Sequence, residues 1–265
     1  MWVPTRAKRG GEAYHPPMTR YEGSDQFREA ELVDVDMSRA VFREVDLSEV
    51  RMRGVLLTGA DIDGDIRGLR LNGVEVAPLV EAELDRRHPE RAQLRPTTAG
   101  GMRTAWAVVE SFWAATMQRA GRLPEADLHR SVDEEWSFAQ TLRHLVFVTD
   151  AWLSHAVLGE ARPFHPLGLP AAFHTGTEAY GVDTSAQPEL ADVVAARAER
   201  VASVRDFLAA ATQADLDQVR PANPAPGWPP PQPRTAASCL RVILNEEWTH
   251  HQFAVRDLAV VEAGR

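Results

Sequence analysis

The sequence predicts an α+β chain of two domains, a short solenoid followed by an all-α four-helix bundle. Three observations carry that prediction. Apolar residues return at every fifth position from Phe27 to Ile62. Beyond residue 100 the apolar spacing changes to the helical period of about 3.6 residues, in four long runs. Between the two lies "AQLRPTTAGG", whose Thr, Pro and paired Gly interrupt any period and mark a domain boundary.

Composition sets outer limits. A chain of 265 residues that is 44% hydrophobic and 25% charged has ordinary globular composition. The formal net charge of -9 disfavours nucleic acid, whose binding needs a basic surface. It also disfavours anionic membranes. Cys239 is the single cysteine, so no internal disulfide forms, and a reducing compartment fits. The opening "MWVPTRAKRGGEAYHPP" has no apolar core of signal-peptide length. No uninterrupted apolar run reaches the roughly 18 to 20 residues of a membrane span. These features point to a soluble, cytoplasmic protein with a small-molecule partner.

Residues 1–24 read as an N-terminal extension. From 25 the five-residue beat runs through Phe27, Leu32, Met37, Phe42, Leu47, Met52, Leu57 and Ile62. A small apolar residue precedes most beats by two positions, as Ala30, Val35, Ala40, Val45, Val50, Val55 and Ala60. A period of five is neither helix nor strand, and a short fixed repeat that buries one face per unit indicates a solenoid. The period slips by one after Ile62 and resumes as Ile66, Leu71 and Val76. The stretch resembles the pentapeptide-repeat family. That resemblance implies a short right-handed quadrilateral β-helix over 25–77, with two to three coils. The competing reading is an irregular β-hairpin domain.

A short helix starts near Pro78 in "APLVEAELDRRHPER" and, with the linker, fills 78–99. The bundle occupies 100–265. Its first helix, "MRTAWAVVESFWAATMQRAG", lines Trp106, Val109, Phe112, Trp113 and Met117 along one face and stops at Gly121. The second, "EWSFAQTLRHLVFVTDAWLSHAVLG", closes at Gly159. The third, "QPELADVVAARAERVASVRDFLAAAT", has Pro188 suited to a first turn. The fourth is "TAASCLRVILNEEWTHHQFAVRDLAVVEA". The seven prolines of "RPANPAPGWPPPQPR" before it cannot be helix interior. Two long connections among four long helices suggest a four-helix bundle.

Polar residues interrupt the fourth helix where apolar ones are expected. The heptad stripe Leu240, Leu244, Glu247, His251, Ala254, Leu258, Val261 is apolar except for Glu247 and His251. The adjacent ridge carries Glu246 and His250 at the same spacing. Residues i and i+4 stack on one helix face, and a carboxylate buried without a partner is costly. A Glu and a His one turn apart can both address one metal ion. On the second helix, His144 shares a face with Thr141, Val148 and Ala151, and is a candidate third ligand from a facing helix. Two His and one Glu form a known catalytic ligand set with open positions. The bland alternative has both Glu–His pairs facing solvent beside a Trp248 anchor.

The pattern over 100–262, with "EWS…TLRHL…D.WL" and "NEEW.HH…AVRDL", resembles the DinB-like family of four-helix bundles. That family includes thiol-dependent maleylpyruvate isomerases and thiol S-transferases. The resemblance implies a divalent metal held by one His on the second helix and two ligands on the last. Carried onto this chain, the triad is His144, Glu247 and His251, with Glu246 and His250 as the alternative register. Glu247/His251 is preferred because its ridge continues apolar, whereas Asp257 interrupts the other.

The function expected is a metal-dependent enzyme that transfers a low-molecular-weight thiol. Zinc is the first choice of metal and nickel the second. The Ala- and Arg-rich, Lys-poor composition suggests a high-GC genome and so mycothiol as the thiol. The alternatives are a metal-dependent hydrolase with the unused glutamate, Glu246 in the preferred register, as general base, or a non-catalytic interaction protein. The repeat is expected to act as a structural cap or a homodimerisation surface. His155 lies about 16 Å along the helix from His144 and cannot share its ion. His165 and His174 sit in the second-to-third connection. Trp136, Trp152 and Trp248 are expected as core anchors, Cys239 as a buried apolar residue and Arg256–Asp257 as a helix-end charge pair.

Overall fold

The structure is a computed structural model that describes residues 19–264 apart from 24, 44, 134, 172, 173 and 175. Most of the expected N-terminal extension lies outside the described residues. The chain divides into two compact units, Met1–Ser48 and Glu49–Arg265.

In the first unit the described residues form turns. Asp36 and Asp46 accept from the backbone N–H two residues on, at Ser38 and Ser48, 2.9 Å in both cases. The Ala30 and Ala40 N–H groups bond the Phe27 and Met37 carbonyls. Glu29, Asp34 and Arg39 have φ of 59°, 54° and 67°, a left-handed conformation uncommon for residues other than glycine. The second unit opens with the same rhythm at Glu49, Gly54, Gly59 and Gly64. The turn therefore recurs two residues after each beat, except after Phe42, where Glu44 is outside the described residues.

The β-helix expected over 25–77 is not shown. Among the described residues the only strands there are β1 (Arg70–Leu71) and β2 (Val74–Glu75), an antiparallel pair. The beat residues Phe27 to Ile62 stay 43 to 60% exposed.

The rest of the second unit is helical. Helix α1 (Ala77–Arg87) has Pro in its first turn and leads into a 3-10 segment, Pro89–Leu94. Helix α2 (Ala99–Ala120) begins at Thr98, whose hydroxyl accepts from the Gly101 N–H at 3.0 Å. A short α3 (Glu125–Leu128) precedes α4 (Phe138–Thr149). Ser137 and Gln140 form a reciprocal capping box at the start of α4, which satisfies two N–H groups the helix cannot pair internally. Helix α4 runs into one π turn, Asp150–His155. Then come α5 (Leu190–Ala210), α6 (Gln213–Asp217), β3 (Val219–Arg220), β4 (Arg234–Thr235) and α7 (Ala236–Ala263).

The four long helices pack in a ring, α2 on α7, α7 on α4, α4 on α5 and α5 on α2. Trp106, Leu142, Leu145, Val193, Val204, Leu240 and Ile243 fill its centre, each 2% exposed or less. The α4–α5 connection is held by a second apolar cluster of Phe147, Ala151, Phe164 and Val182. The proline-rich segment before β4 presses on that cluster. A Cβ at Gly227 would stand 2.6 Å from the Phe164 ring. No helix among the described residues is long and apolar enough to cross a membrane.

Candidate metal centre

Helix α7 turns about 100° per residue, so Glu246 and Glu247 point to different neighbours. Glu246 and His250 face α4 and meet His144. One ligand atom from each of these three residues lies within 4.8 Å of the other two. His250 Nε2 is 3.2 Å from the Glu246 carboxylate and His144 Nε2 is 3.5 Å from it. The His144 and His250 ring centroids are 4.5 Å apart, and Trp136 covers both rings at 4.7 and 5.9 Å.

His144 is 7% exposed, and its Nδ1–H donates to the Leu169 carbonyl at 2.9 Å. With Nδ1 as the donor, a neutral ring would present Nε2 as a lone pair toward a Glu246 carboxylate oxygen. Two acceptors facing one another need a proton or a cation between them. Orienting a ligating imidazole through its other nitrogen is also how metal sites fix their histidines. The residues present therefore fit a divalent ion on chemical grounds. Burial pushes the Glu246 carboxyl upward, but the bonds to His144 and His250 outweigh it and hold the group at about 2. Burial pushes His250 downward against the opposing pull of Glu246.

The structure thus groups the alternative register with His144, not the preferred one. Glu247 is fully buried and pairs with Arg197 of α5, one of whose terminal nitrogens reaches both carboxylate oxygens. Burial raises the Glu247 carboxyl despite Arg197. His251 bonds the Thr116 hydroxyl of α2 at 2.8 Å and packs on Phe112 and Trp113. Burial pushes its ring down to about 4. An apolar continuation marks the helix face that enters the bundle core, and this core holds an ion pair of its own. Glu246, expected as a general base, stands among the three residues that converge.

Trp136 and His174 line a cleft of 470 Å³, walled also by Leu169, Pro170, Thr177 and Glu178. Burial lowers His174, which also feels the charges of His144 and Glu246. Arg143, 4% exposed, fixes this wall. Its guanidinium donates to the carbonyls of Leu167, Ala186 and Asp183 at 2.8, 2.7 and 3.1 Å. A smaller cavity of 280 Å³, between the Pro89–Leu94 segment and α7, is lined by Arg91, Arg95, Arg241 and Trp248. Residues 241, 245 and 248 lie on the α7 face turned away from Glu246 and His250, so this cavity is remote from the cluster.

The remaining sequence candidates have plain partners. His155 Nδ1 accepts from the Asn223 amide at 3.1 Å. The His165 N–H donates to Asp150 at 2.8 Å. Trp152 lies beneath Arg234, and Trp248 packs against His88 and Phe112. Cys239 is fully buried, which raises its thiol. Arg256 bonds Asp257 at 2.8 Å and also reaches Glu135. Sequence reasoning missed Arg143, Asp150, Arg197 and Thr116. Arg143 and Asp150 had a signal, as charged residues inside the otherwise apolar run of the second helix.

The bundle and its inward-facing ligand cluster define a class of protein, and comparison with known families agrees. A model of the DinB superfamily matches residues 108–254, more than half of the chain. The chain belongs to the DinB superfamily. A family model of pentapeptide repeats, described as eight copies, matches residues 26–59. No curated protein and no solved structure matches the chain.

Proposed function

We propose that the chain is a divalent-metal-dependent enzyme that transfers a low-molecular-weight thiol to a small electrophile. The supporting observation is the convergence of His144, Glu246 and His250 beside Trp136, which also lines the cleft. These three residues would hold the ion, with zinc favoured by a donor set of two imidazoles and one carboxylate. Its chemistry there is Lewis acidity, which favours the thiolate form of a thiol near neutral pH.

The protein's own groups shape the rest. Trp136 shields the imidazoles from solvent. Leu169 orients His144, and Arg143 holds the wall that carries Leu169. Cys239 is buried and is the chain's sole cysteine, so the transferred sulfur must come from a second substrate. In the reaction a carbon–sulfur bond forms, the bond from that carbon to its leaving group breaks, and the thiol proton passes to solvent. Mycothiol is the thiol favoured by the composition.

The hydrolase alternative needs a second carboxylate as base. Glu247 is committed to Arg197 and has no access to solvent, so it does not serve as that base. For the repeat segment, the left-handed turn at every fifth residue supports a four-sided coil acting as a cap or a homodimer surface. The surroundings of a reducing cytoplasm suit the single free thiol.

The test is turnover of a chromogenic aryl halide by zinc-loaded protein with and without mycothiol. The proposal expects halide release that requires both mycothiol and His250. Release that proceeds equally without thiol would favour the hydrolase, and no release with any thiol would favour a binding protein.

A further inference from the structure

We infer that Arg220 and Arg234 form a binding site for a tetrahedral oxyanion, separate from the His144–Glu246–His250 cluster. The two arginines are direct partners in the β3–β4 ladder. Directly opposed residues of an antiparallel pair project from the same face, with Cβ atoms about 5 Å apart, and like charges placed so repel. Both side chains are half-buried. Neither makes an ion pair among the described residues.

Their hydrogen bonding is incomplete. The Nε of Arg220 and the Nε of Arg234 are both buried without a partner. The Gln232 amide oxygen, oriented as these donors require, accepts from both terminal nitrogens of Arg234, but a neutral amide leaves the charge uncompensated. The Arg234 guanidinium lies 5.1 Å from the Trp152 ring centroid, which holds its plane in place. Of the acidic side chains just before Arg220, Asp217 accepts from Gln213 and Asp215 accepts from Thr212 in the capping box of α6; Asp215 feels the Arg220 charge without bonding it.

Buried donors without acceptors call for an acceptor, and two cationic groups together call for an anionic one. The two unpartnered Nε donors arrive from two strands, so an acceptor that serves both needs oxygens on more than one side. Sulfate or a phosphate group supplies four, whereas a carboxylate offers a single edge. The site is distinct from the cleft, because Glu246 lies about 15 Å along α7 from the helix start beside Arg234. The chemistry fits free inorganic oxyanion as well as the phosphate of a larger ligand.

The experiment is thermal unfolding of the full-length, metal-loaded protein in millimolar sodium sulfate, with chloride and acetate at matched ionic strength. Millimolar sulfate is too dilute for its general exclusion effect. The expected result is a Tm rise of roughly 5 °C at saturation in sulfate alone, absent in Arg220→Gln and Arg234→Gln. In chloride, Arg220→Gln should unfold no lower than wild type, since it relieves the repulsion. An equal rise in acetate, or a sulfate response that survives in both variants, would overturn the site. If a variant does not fold, calorimetric titration of wild type with sulfate decides. Saturable heat that inorganic phosphate competes away supports the site, and its absence refutes it. A larger phosphate ester that competes far better than inorganic phosphate would identify the ester as the natural occupant.

Discussion

Glu246 and Glu247 are adjacent in sequence and opposite in electrostatic fate. The first is held at about 2, because the bonds from two imidazoles outweigh its burial. The second is raised by complete burial in spite of Arg197. The paired Glu–His spacing was legible from residue identity alone, as was the presence of His144 on the facing helix. Which glutamate met His144 was not, because both ridges carry the same spacing and the choice depends on the rotation of α7. The apolar continuation pointed to Glu247, and it correctly marked a core-facing residue. A core-facing carboxylate has two outlets, a metal or a buried cation, and the cation stands fifty residues earlier on α5. Glu247→Gln should strand Arg197 in the core and lower stability by about 3 kcal/mol, measured by urea unfolding. The folded variant should keep its metal. An unchanged midpoint would show that the Arg197 pair contributes nothing.

At the level of elements, the long helices were the legible part. Strong periodicity over twenty or more residues fixes helix type, so the four runs reappear as α2, α4 with its π turn, α5 and α7. The π turn was not legible, since Asp150–His155 keeps the apolar spacing of an ordinary helix. Its first residue has a measurable consequence. Asp150 is 1% exposed, bonds Arg200 at 2.9 Å and accepts from the His165 N–H of the α4–α5 connection. Burial pushes its carboxyl up to about 6, against the opposing pull of Arg200. A folded value above the unfolded one of about 3.9 means that the fold prefers the protonated group. Its contribution is complete below about pH 4 and is lost as pH rises through 6, a change of about 3 kcal/mol. The stability of wild type minus that of Asp150→Asn, taken from urea unfolding between pH 4 and 7, should fall by that amount. A flat or rising difference would contradict the burial of this carboxyl as an energetic cost.

For the whole molecule, the ring of four helices is what turns separate sequence signals into one site. His144 comes from α4, Glu246 and His250 from α7, and Arg143 ties the intervening connection over them. The five-residue beat was legible as repeats, because a fixed period survives without any knowledge of contacts. The stacking of those repeats was not, since it depends on how many coils cover one another. The central claim is that one metal ion is held by His144, Glu246 and His250. Elemental analysis of full-length protein, purified without chelators or a metal-affinity tag, tests it across wild type, His144→Ala, His250→Ala and His251→Ala. About one divalent ion per chain is expected in wild type and in His251→Ala, and none in His144→Ala or His250→Ala. Loss in His251→Ala with retention in His250→Ala would move the site to Glu247 and His251, and a wild type without metal would remove the site altogether.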